Sequence, residues 1–260
     1  MEIFGYLKAV ARITALAAAA SITATVASHA VVITAYTNDF DGAETFSGGV
    51  SGGFSGAGVD TATPAGFVGG GMPGGLMRRN ATTGNPAAST ILSLAGLPSH
   101  TSIDLAFFLA IIDSWDGTGS GFGPDAMNVE VDGASIFAEI FANASGTQGF
   151  VDPGGVILSS GTNLGFSGFR DQVLTMGPLL PAMNSIAHSS STLTVEWFAS
   201  GSGWQGGSDE SFAIDNVSVK LNAVNSVPPP TPKLPEPASL ALLGFGLAGL
   251  ALIRRRKTTT

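Results

Sequence analysis

Two loop segments of this sequence each pair a tryptophan with carboxylates, a combination suited to binding sugars. In protein–sugar recognition an aromatic ring packs against the apolar face of the sugar, and carboxylates accept hydrogen bonds from its hydroxyls. The candidate ligand-binding residues are Trp115, Asp116, Trp204, Asp209 and Glu210. If both loops lie at one edge of the fold, they form a shallow surface for a polysaccharide. The alternative for both tryptophans is burial at strand ends, because buried aromatic rings stabilise cores strongly.

The same carboxylates also suit a polysaccharide hydrolase, which is the alternative enzymatic interpretation. A glycosidase needs two carboxyl groups about 5 to 10 Å apart, one with a raised pKa. Asp113, Asp116, Asp209 and Glu210 are of the required type, but neighbouring acids on a surface are usually only solvated. The available histidine bases, His100 and His188, lie in turns rich in Ser and Thr. We therefore do not expect an enzyme.

The elements that would position these loops are short strands separated by turn clusters. A long apolar strand that runs into an acidic loop is predicted over Ser102–Gly117, and strict alternation of apolar and polar residues predicts another over 127–131. Asp132-Gly133 is a strong hairpin signal. Further strands are predicted over Ser191–Ala199 and Ser211–Val219. No alternation of strands with helices is present, so the pattern favours an antiparallel β-sandwich.

Two stretches resemble the extracellular jelly-roll domains of lectins and carbohydrate-binding modules. They are Ile111–Gly117 with Asp125–Gly133, and the closing segment Ser208–Val219. The resemblance implies one jelly-roll-type β-sandwich over residues 31–225 that presents loops to a glycan or a partner. A purely structural matrix protein without a specific ligand is the competing function.

The same resemblance implies a structural calcium ion where the first and last strands meet. Asp41, Glu44 and Asp215 would share that ion, since calcium takes six to eight oxygen ligands. The alternative is that residues 38–42 form a turn whose Asn and Asp side chains bond their own backbone.

The C-terminal segment, residues 235–260, has the layout of a sorting signal. Pro235-Glu236-Pro237 precedes sixteen uncharged residues, 238–253, and then the basic residues 254–257, which include Arg254, Arg255 and Arg256. A helix of that length spans about 24 Å, slightly less than a bilayer core of about 30 Å. The segment resembles the PEP-CTERM sorting signal of Gram-negative bacteria. The four basic residues resist translocation and should stay in the cytoplasm, which leaves the body outside. The resemblance implies an inner-membrane intermediate that an exosortase recognises and cleaves, with release to the cell surface or matrix. A simple tail anchor is the alternative.

The N-terminal segment, residues 1–30, has the layout of a secretory signal peptide. Lys8 and Arg12 precede an apolar stretch, and Ser28 and Ala30 are small residues at a plausible cleavage site. At the other end of the body, residues 226–234 form a proline-rich linker.

The charge of the body limits its partners. Between residues 31 and 234 the chain has 17 acidic and 5 basic residues, a net charge of −12, and it has no cysteine. Nucleic acid and anionic lipid both attract clustered Lys and Arg, so neither is expected as a partner. The acidity suits calcium, a cationic partner or a neutral polysaccharide, and it also keeps an exported protein soluble.

Overall fold

The computed structural model describes residues 28–226 and the single residue Phe245, with side chains described from 31 to 223 within the first range. Residues His29–Asn225 form one compact unit. The predicted signal peptide up to residue 27, the linker from residue 227 and the sorting segment apart from Phe245 lie outside the described residues. Within the described part of the chain, no helix is long and apolar enough to cross a membrane.

The described chain is built almost entirely from strands. The strands are β1 (Ser28–Asn38), β2 (Thr45–Phe46), β3 (Ser51–Gly56), β4 (Val59–Ala62), β5 (Leu76–Asn80), β6 (Thr90–Ala95), β7 (Ser102–Asp113), β8 (Asp125–Val131), β9 (Ala134–Phe141), β10 (Ile157–Thr162), β11 (Asp171–Met176), β12 (Ile186–Ala187), β13 (Thr192–Gly201) and β14 (Glu210–Ser226). One α-helix, α1 (Ala65–Gly69), and one 3₁₀ turn, Pro181–Met183, interrupt them.

The strands form two antiparallel sheets. The larger sheet has the order β10-β11-β7-β14-β1-β2, with β12 beside β7, and β5 beside β14 and β4. The smaller sheet has the order β3-β6-β13-β8-β9. The prediction of an all-β sandwich of antiparallel sheets is confirmed.

The core lies between the two sheets because the inward residues of each strand alternate with outward ones. On β7 the inward side chains include Leu105, Phe107 and Leu109, all at most 2 % exposed. Trp197 on β13 packs edge-on against Phe107, with ring centroids 5.6 Å apart. Burial of this apolar area is the main stabilising term, at about 25 cal/mol per Å².

A second apolar cluster covers the outer face of the larger sheet. Phe67 of α1 packs there with residues that include Ile112 and Ala213. The helix approaches its neighbours closely: a Cβ atom on Gly66 would overlap the carbonyl oxygen of Leu164. Sequence reasoning found no helix in this glycine-rich region, since five residues show no periodic face.

The predicted hairpin is confirmed. Val131 of β8 pairs with Ala134 of β9 across Asp132 and Gly133, whose φ angles are 50° and 77°. Two positive φ angles suit a two-residue turn whose twist matches that of the flanking strands, and Asp-Gly accepts them readily.

Candidate functional site

Six carboxyl groups gather at the edge of the sandwich where β7 ends and where β8, β11 and β14 begin. They belong to Asp113, Asp116, Asp125, Asp171, Asp209 and Glu210. We call this group the acidic edge. Antiparallel pairing assembles it, because Glu210 of β14 lies opposite Asp113 of β7, and Asp125 of β8 lies opposite Gly201 of β13. Three of the five predicted ligand-binding residues, Asp116, Asp209 and Glu210, thus come from distant parts of the chain to one edge.

The two tryptophans of the predicted sugar site are core residues. Trp115 is fully buried and Trp204 is 7 % exposed, and their rings meet edge-on at 5.1 Å. Their indole N–H groups donate to backbone carbonyls, Trp115 to Ser211 and Trp204 to Thr82. Neither ring presents a face to a ligand, so the placement of Trp115 and Trp204 supports the alternative of burial and not sugar stacking.

Asp116 and Asp209 line an open cleft beside these buried rings. Asp209 Oδ1 accepts a hydrogen bond from Ser114 Oγ at 2.6 Å, and Asp116 Oδ1 accepts bonds from the hydroxyls of Ser120 and Ser145. The cleft has a volume of about 400 Å³, within the usual range for small-ligand sites. Its lining residues are Ser114, Asp116, Phe122, Ala144, Ser145, Phe169, Gln205 and Asp209.

Phe122 and Phe169 are the aromatic residues that this cleft offers to a ligand. Phe122 is 70 % exposed and Phe169 is 45 % exposed, although large apolar side chains usually bury more of their surface. Phe122 lies in the glycine-rich loop Thr118–Pro124, and Phe169 lies in the loop Ser167–Arg170 before β11. Sequence reasoning missed them, because a single phenylalanine in such a loop shows no periodicity that separates a surface ring from a buried anchor.

Behind the cleft, the carboxyl groups of Asp116, Asp125 and Glu210 form a tight buried group. One oxygen atom of each lies within 4.8 Å of the others, and the three residues are 5 %, 0 % and 0 % exposed. Burial, with the neighbouring carboxyl groups, raises the pKa of Asp125 to about 6 and that of Glu210 to about 8. Sequence reasoning assigned Asp125 only to a strand.

Asp113 and Asp171 occupy the remaining part of the acidic edge. Asp171 accepts backbone N–H bonds from Asp113 at 2.9 Å and from Leu164 at 2.6 Å. Burial raises the pKa of both carboxyl groups, while the hydroxyl of Ser167 and the nearby Arg79 lower that of Asp113. These bonds hold Asp113 at a φ of 68°, where the chain turns from β7 towards the cleft.

The three predicted calcium ligands do not form a comparable group. Asp215 is fully buried on β14, and burial raises its pKa to about 7, with further contributions from Asp41 and Asp39. Asp41 accepts a hydrogen bond from the backbone N–H of Leu76. Glu44 instead accepts bonds from the Tyr36 hydroxyl at 3.0 Å and from the Asn38 amide at 3.1 Å. Among the described residues, one group of three carboxylates has an oxygen of each within 4.8 Å of the others. It is the buried group at the acidic edge.

The two histidines considered as bases bind each other. Nε2 of His100 and Nδ1 of His188 lie 2.6 Å apart, and Nε2 of His188 lies 3.1 Å from an oxygen of Asp132. Both imidazoles are buried and contact no carboxylate of the acidic edge through a hydrogen bond. They therefore bridge loops of the sandwich and do not complete a hydrolytic site at the cleft.

The C-terminal segment matches a known family. Residues 234–257 match the family model of the PEP-CTERM protein-sorting motif. The match confirms the sorting signal predicted from Pro235, Glu236, Pro237 and the arginines at 254–256. The chain thus carries a motif of exported proteins that exosortases process, whereas the model covers none of the sandwich. The comparison with curated proteins gave no match.

Solved structures that resemble the chain include β-sandwich modules. The CBM22-1 xylan-binding domain from Paenibacillus barcinonensis Xyn10C is 9 % identical, with a TM-score of 0.32, over 74 % of this chain and 97 % of that one. The CBM22-1–GH10 modules of Clostridium thermocellum Xyn10B are 6 % identical, with a TM-score of 0.29, over 65 % and 26 %. Dimeric latent PorU from Porphyromonas gingivalis is 11 % identical, with a TM-score of 0.31, over 67 % and 13 %. Similarity at these TM-scores carries no information on ligand or activity.

Proposed function

We propose that this chain is an exported protein of a Gram-negative bacterium whose jelly-roll-type β-sandwich binds a polysaccharide at the cell surface or in the extracellular matrix. In this proposal residues 1–30 direct export and residues 226–234 link the sandwich to the sorting segment. The apolar helix 238–253 holds an intermediate in the inner membrane until an exosortase acts on it. The sorting-motif match at residues 234–257 supports the export route.

The observation that carries the ligand proposal is the cleft with two exposed phenylalanine rings beside polar side chains. Phe122 and Phe169 supply apolar faces, while Asp116, Asp209 and Gln205 supply hydrogen-bonding groups to sugar hydroxyls. Ligand pockets combine apolar and aromatic side chains with a few placed polar groups, and this cleft has both. Asp116 and Asp209 thus remain proposed sugar-binding residues. Phe122 and Phe169 take the place of the two tryptophans as the stacking rings.

The geometry favours binding over hydrolysis. A glycosidase acid must reach the glycosidic oxygen. Glu210, whose pKa is raised to about 8, is fully buried behind the cleft. Asp209, which lines the cleft, is already bonded to Ser114. We therefore propose a non-catalytic protein.

Glycan-array binding by the full chain in mild detergent tests this function. Phe122→Ala and Phe169→Ala should each weaken binding at least about fivefold, because one stacked ring contributes about 1 kcal/mol. Leu179→Ala is the matched control, since Leu179 is 51 % exposed and does not line the cleft. Absence of binding to every polysaccharide, or equal binding by all three variants, would favour a structural matrix protein without a specific ligand.

We also retain, as a proposal, a structural calcium ion at the side chain of Asp215. One oxygen of this buried carboxyl accepts the N–H of Asn216 at 2.6 Å, and its other oxygen has no hydrogen-bond partner. Asp41 is close enough to influence its ionisation. Glu44 uses Oε1 for its bonds to Tyr36 and Asn38, and the three predicted ligands do not form a group within 4.8 Å, so the proposed ligands are Asp41 and Asp215.

A further inference from the structure

Three carboxyl groups at the acidic edge come from three separate segments of the chain. Asp116 follows β7, Asp125 begins β8 and Glu210 begins β14, so the group joins the smaller sheet to the larger one. Backbone bonds lock the first two together: the N–H of Asp116 donates to Asp125 Oδ2 at 2.6 Å, and the N–H of Asp125 donates to the carbonyl of Asp116 at 2.8 Å. The positions of these carboxyl groups are thus set by the fold and not by flexible side chains.

Two buried oxygen atoms in this group have no hydrogen-bond donor. Asp125 Oδ1 and Glu210 Oε1 are both inaccessible to solvent and unpartnered, while the other oxygen of each accepts a backbone N–H, from Asp116 and from Gln205. The two carboxyl groups face each other, and an oxygen of Asp116 lies within 4.8 Å of both. Buried polar atoms of native proteins nearly always have a partner. The two carboxyl groups lie within hydrogen-bonding reach of each other, so either a shared proton or a cation must lie between them.

No basic side chain of the described residues neutralises this group. The described ion pairs are Arg78 with Asp60 and His188 with Asp132, and neither involves the acidic edge. Arg79 bonds the hydroxyl of Ser211 and the carbonyl of Gly207. Removing one carboxylate from water costs several kcal/mol unless an opposite charge compensates. The missing partner should therefore be a cation or a proton.

We propose that Asp116, Asp125 and Glu210 bind one calcium ion that fastens the two sheets together at the rim of the cleft. The ligand atoms are all carboxylate oxygens, which hard cations prefer, and the chain has no cysteine for a softer metal. Ligand atoms up to 4.8 Å apart can contact one ion, because two oxygens at about 2.4 Å on opposite sides of a calcium ion are about 4.8 Å apart. This site is separate from the one predicted at Asp215, and it does not depend on glycan binding.

Calorimetric titration of the chelator-stripped full chain with calcium tests the proposal. Glu210→Gln and Asp125→Asn keep the shape of each side chain and remove the ligand charge, so each should weaken calcium binding at this site at least tenfold. Glu130→Gln is the control, because it removes a carboxylate of the same strand that lies outside the group. Asp215→Asn identifies any second binding event and should leave this one unchanged.

Thermal unfolding gives an independent readout. Calcium at about a hundred times its Kd should raise the Tm of the wild type and of Glu130→Gln by about 5 to 10 °C. Glu210→Gln and Asp125→Asn should lose that increase and should be at least as stable as the wild type in chelator, because the new amide N–H can donate to the facing carboxyl group in place of a shared proton. If the wild-type protein binds no calcium, the proposal is overturned in favour of a shared proton. It is also overturned if Glu210→Gln and Asp125→Asn both bind calcium as tightly as the wild type does.

Discussion

Asp215 makes a specific pH dependence of stability predictable. This carboxyl group is fully buried on β14, and burial, with Asp41 and Asp39 nearby, raises its pKa to about 7. Asn216, the next residue, donates its N–H to Asp215 Oδ1. Asparagine keeps that acceptor and has the shape of the protonated acid, so Asp215→Asn mimics the neutral form without creating a cavity.

The sign and size of the effect follow from proton linkage. In the unfolded chain Asp215 ionises near its ordinary pKa of 3.8, whereas in the folded chain it keeps its proton up to about pH 7. The folded state therefore binds more protons between these values, and wild-type stability falls as the pH rises from about 4 to about 7. A shift of about three pKa units corresponds to at most about 4 kcal/mol. Most of this shift comes from desolvation, and relaxation and water penetration around a buried carboxylate reduce that penalty, so we expect about 2 kcal/mol.

Urea unfolding of the full chain at pH 4, 6 and 8, in chelator, measures this effect. From pH 4 to pH 8, the free energy of unfolding of Asp215→Asn should rise by about 2 kcal/mol relative to that of the wild type. Other carboxyl groups cancel in that difference. Parallel curves for the two proteins over this range would refute the reasoning. Repeating the measurement with calcium tests the ion proposed there, because a bound ion would stabilise the wild type and not the variant.

Two further predictions concern packing. Trp115→Ala should lower the free energy of unfolding by about 3 to 5 kcal/mol, because it removes a fully buried ring and its hydrogen bond to Ser211. Urea unfolding measures this loss, and a loss below about 1 kcal/mol would contradict the burial of this ring. Gly66→Ala should cost about 1 to 3 kcal/mol, because the new Cβ overlaps the carbonyl of Leu164, while Gly69→Ala in the same helix meets open space and should change stability by less than about 1 kcal/mol. Equal effects at the two glycines in the same assay would show that the contact with Leu164 is not the cause.

The strands that sequence reasoning recognised are those whose own residues alternate or run apolar. The apolar stretch Ser102–Gly117 contains β7, which ends where the predicted acidic loop begins, and the alternating segment 127–131 lies within β8. The first strand, β1, and the pair β10–β11 were not recognised from their sequences. The mostly polar residues of β10 (Ile157–Thr162) form a strand because β11 offers an open edge, and the paired residues are 9 to 17 positions apart in the sequence.

The candidate site was predictable only in its residue types. Carboxylates in the loops after β7 and before β14 signalled a polar edge, and Asp116, Asp209 and Glu210 do lie there. Which of them face solvent was not predictable, since Asp209 lines the cleft while Glu210, its neighbour in sequence, is fully buried. Asp209 ends the turn before β14 and Glu210 is the first residue of that strand, so their exposure depends on what the other sheet and the loops place against each side chain.

The sequence by itself determined the all-β class, because side-chain alternation is a local property of each strand. It also determined the sorting signal, because that motif is contiguous at residues 234–257. Only the tertiary structure decided that Trp115 and Trp204 are core residues, that Phe122 and Phe169 face the cleft, and that Asp125 joins the buried carboxyl group. The physical reason is that burial and proximity arise from the pairing of segments far apart in the chain. Asp116, Asp125 and Glu210 meet because antiparallel strands bring the end of β7 and the starts of β8 and β14 to the same edge of the sandwich.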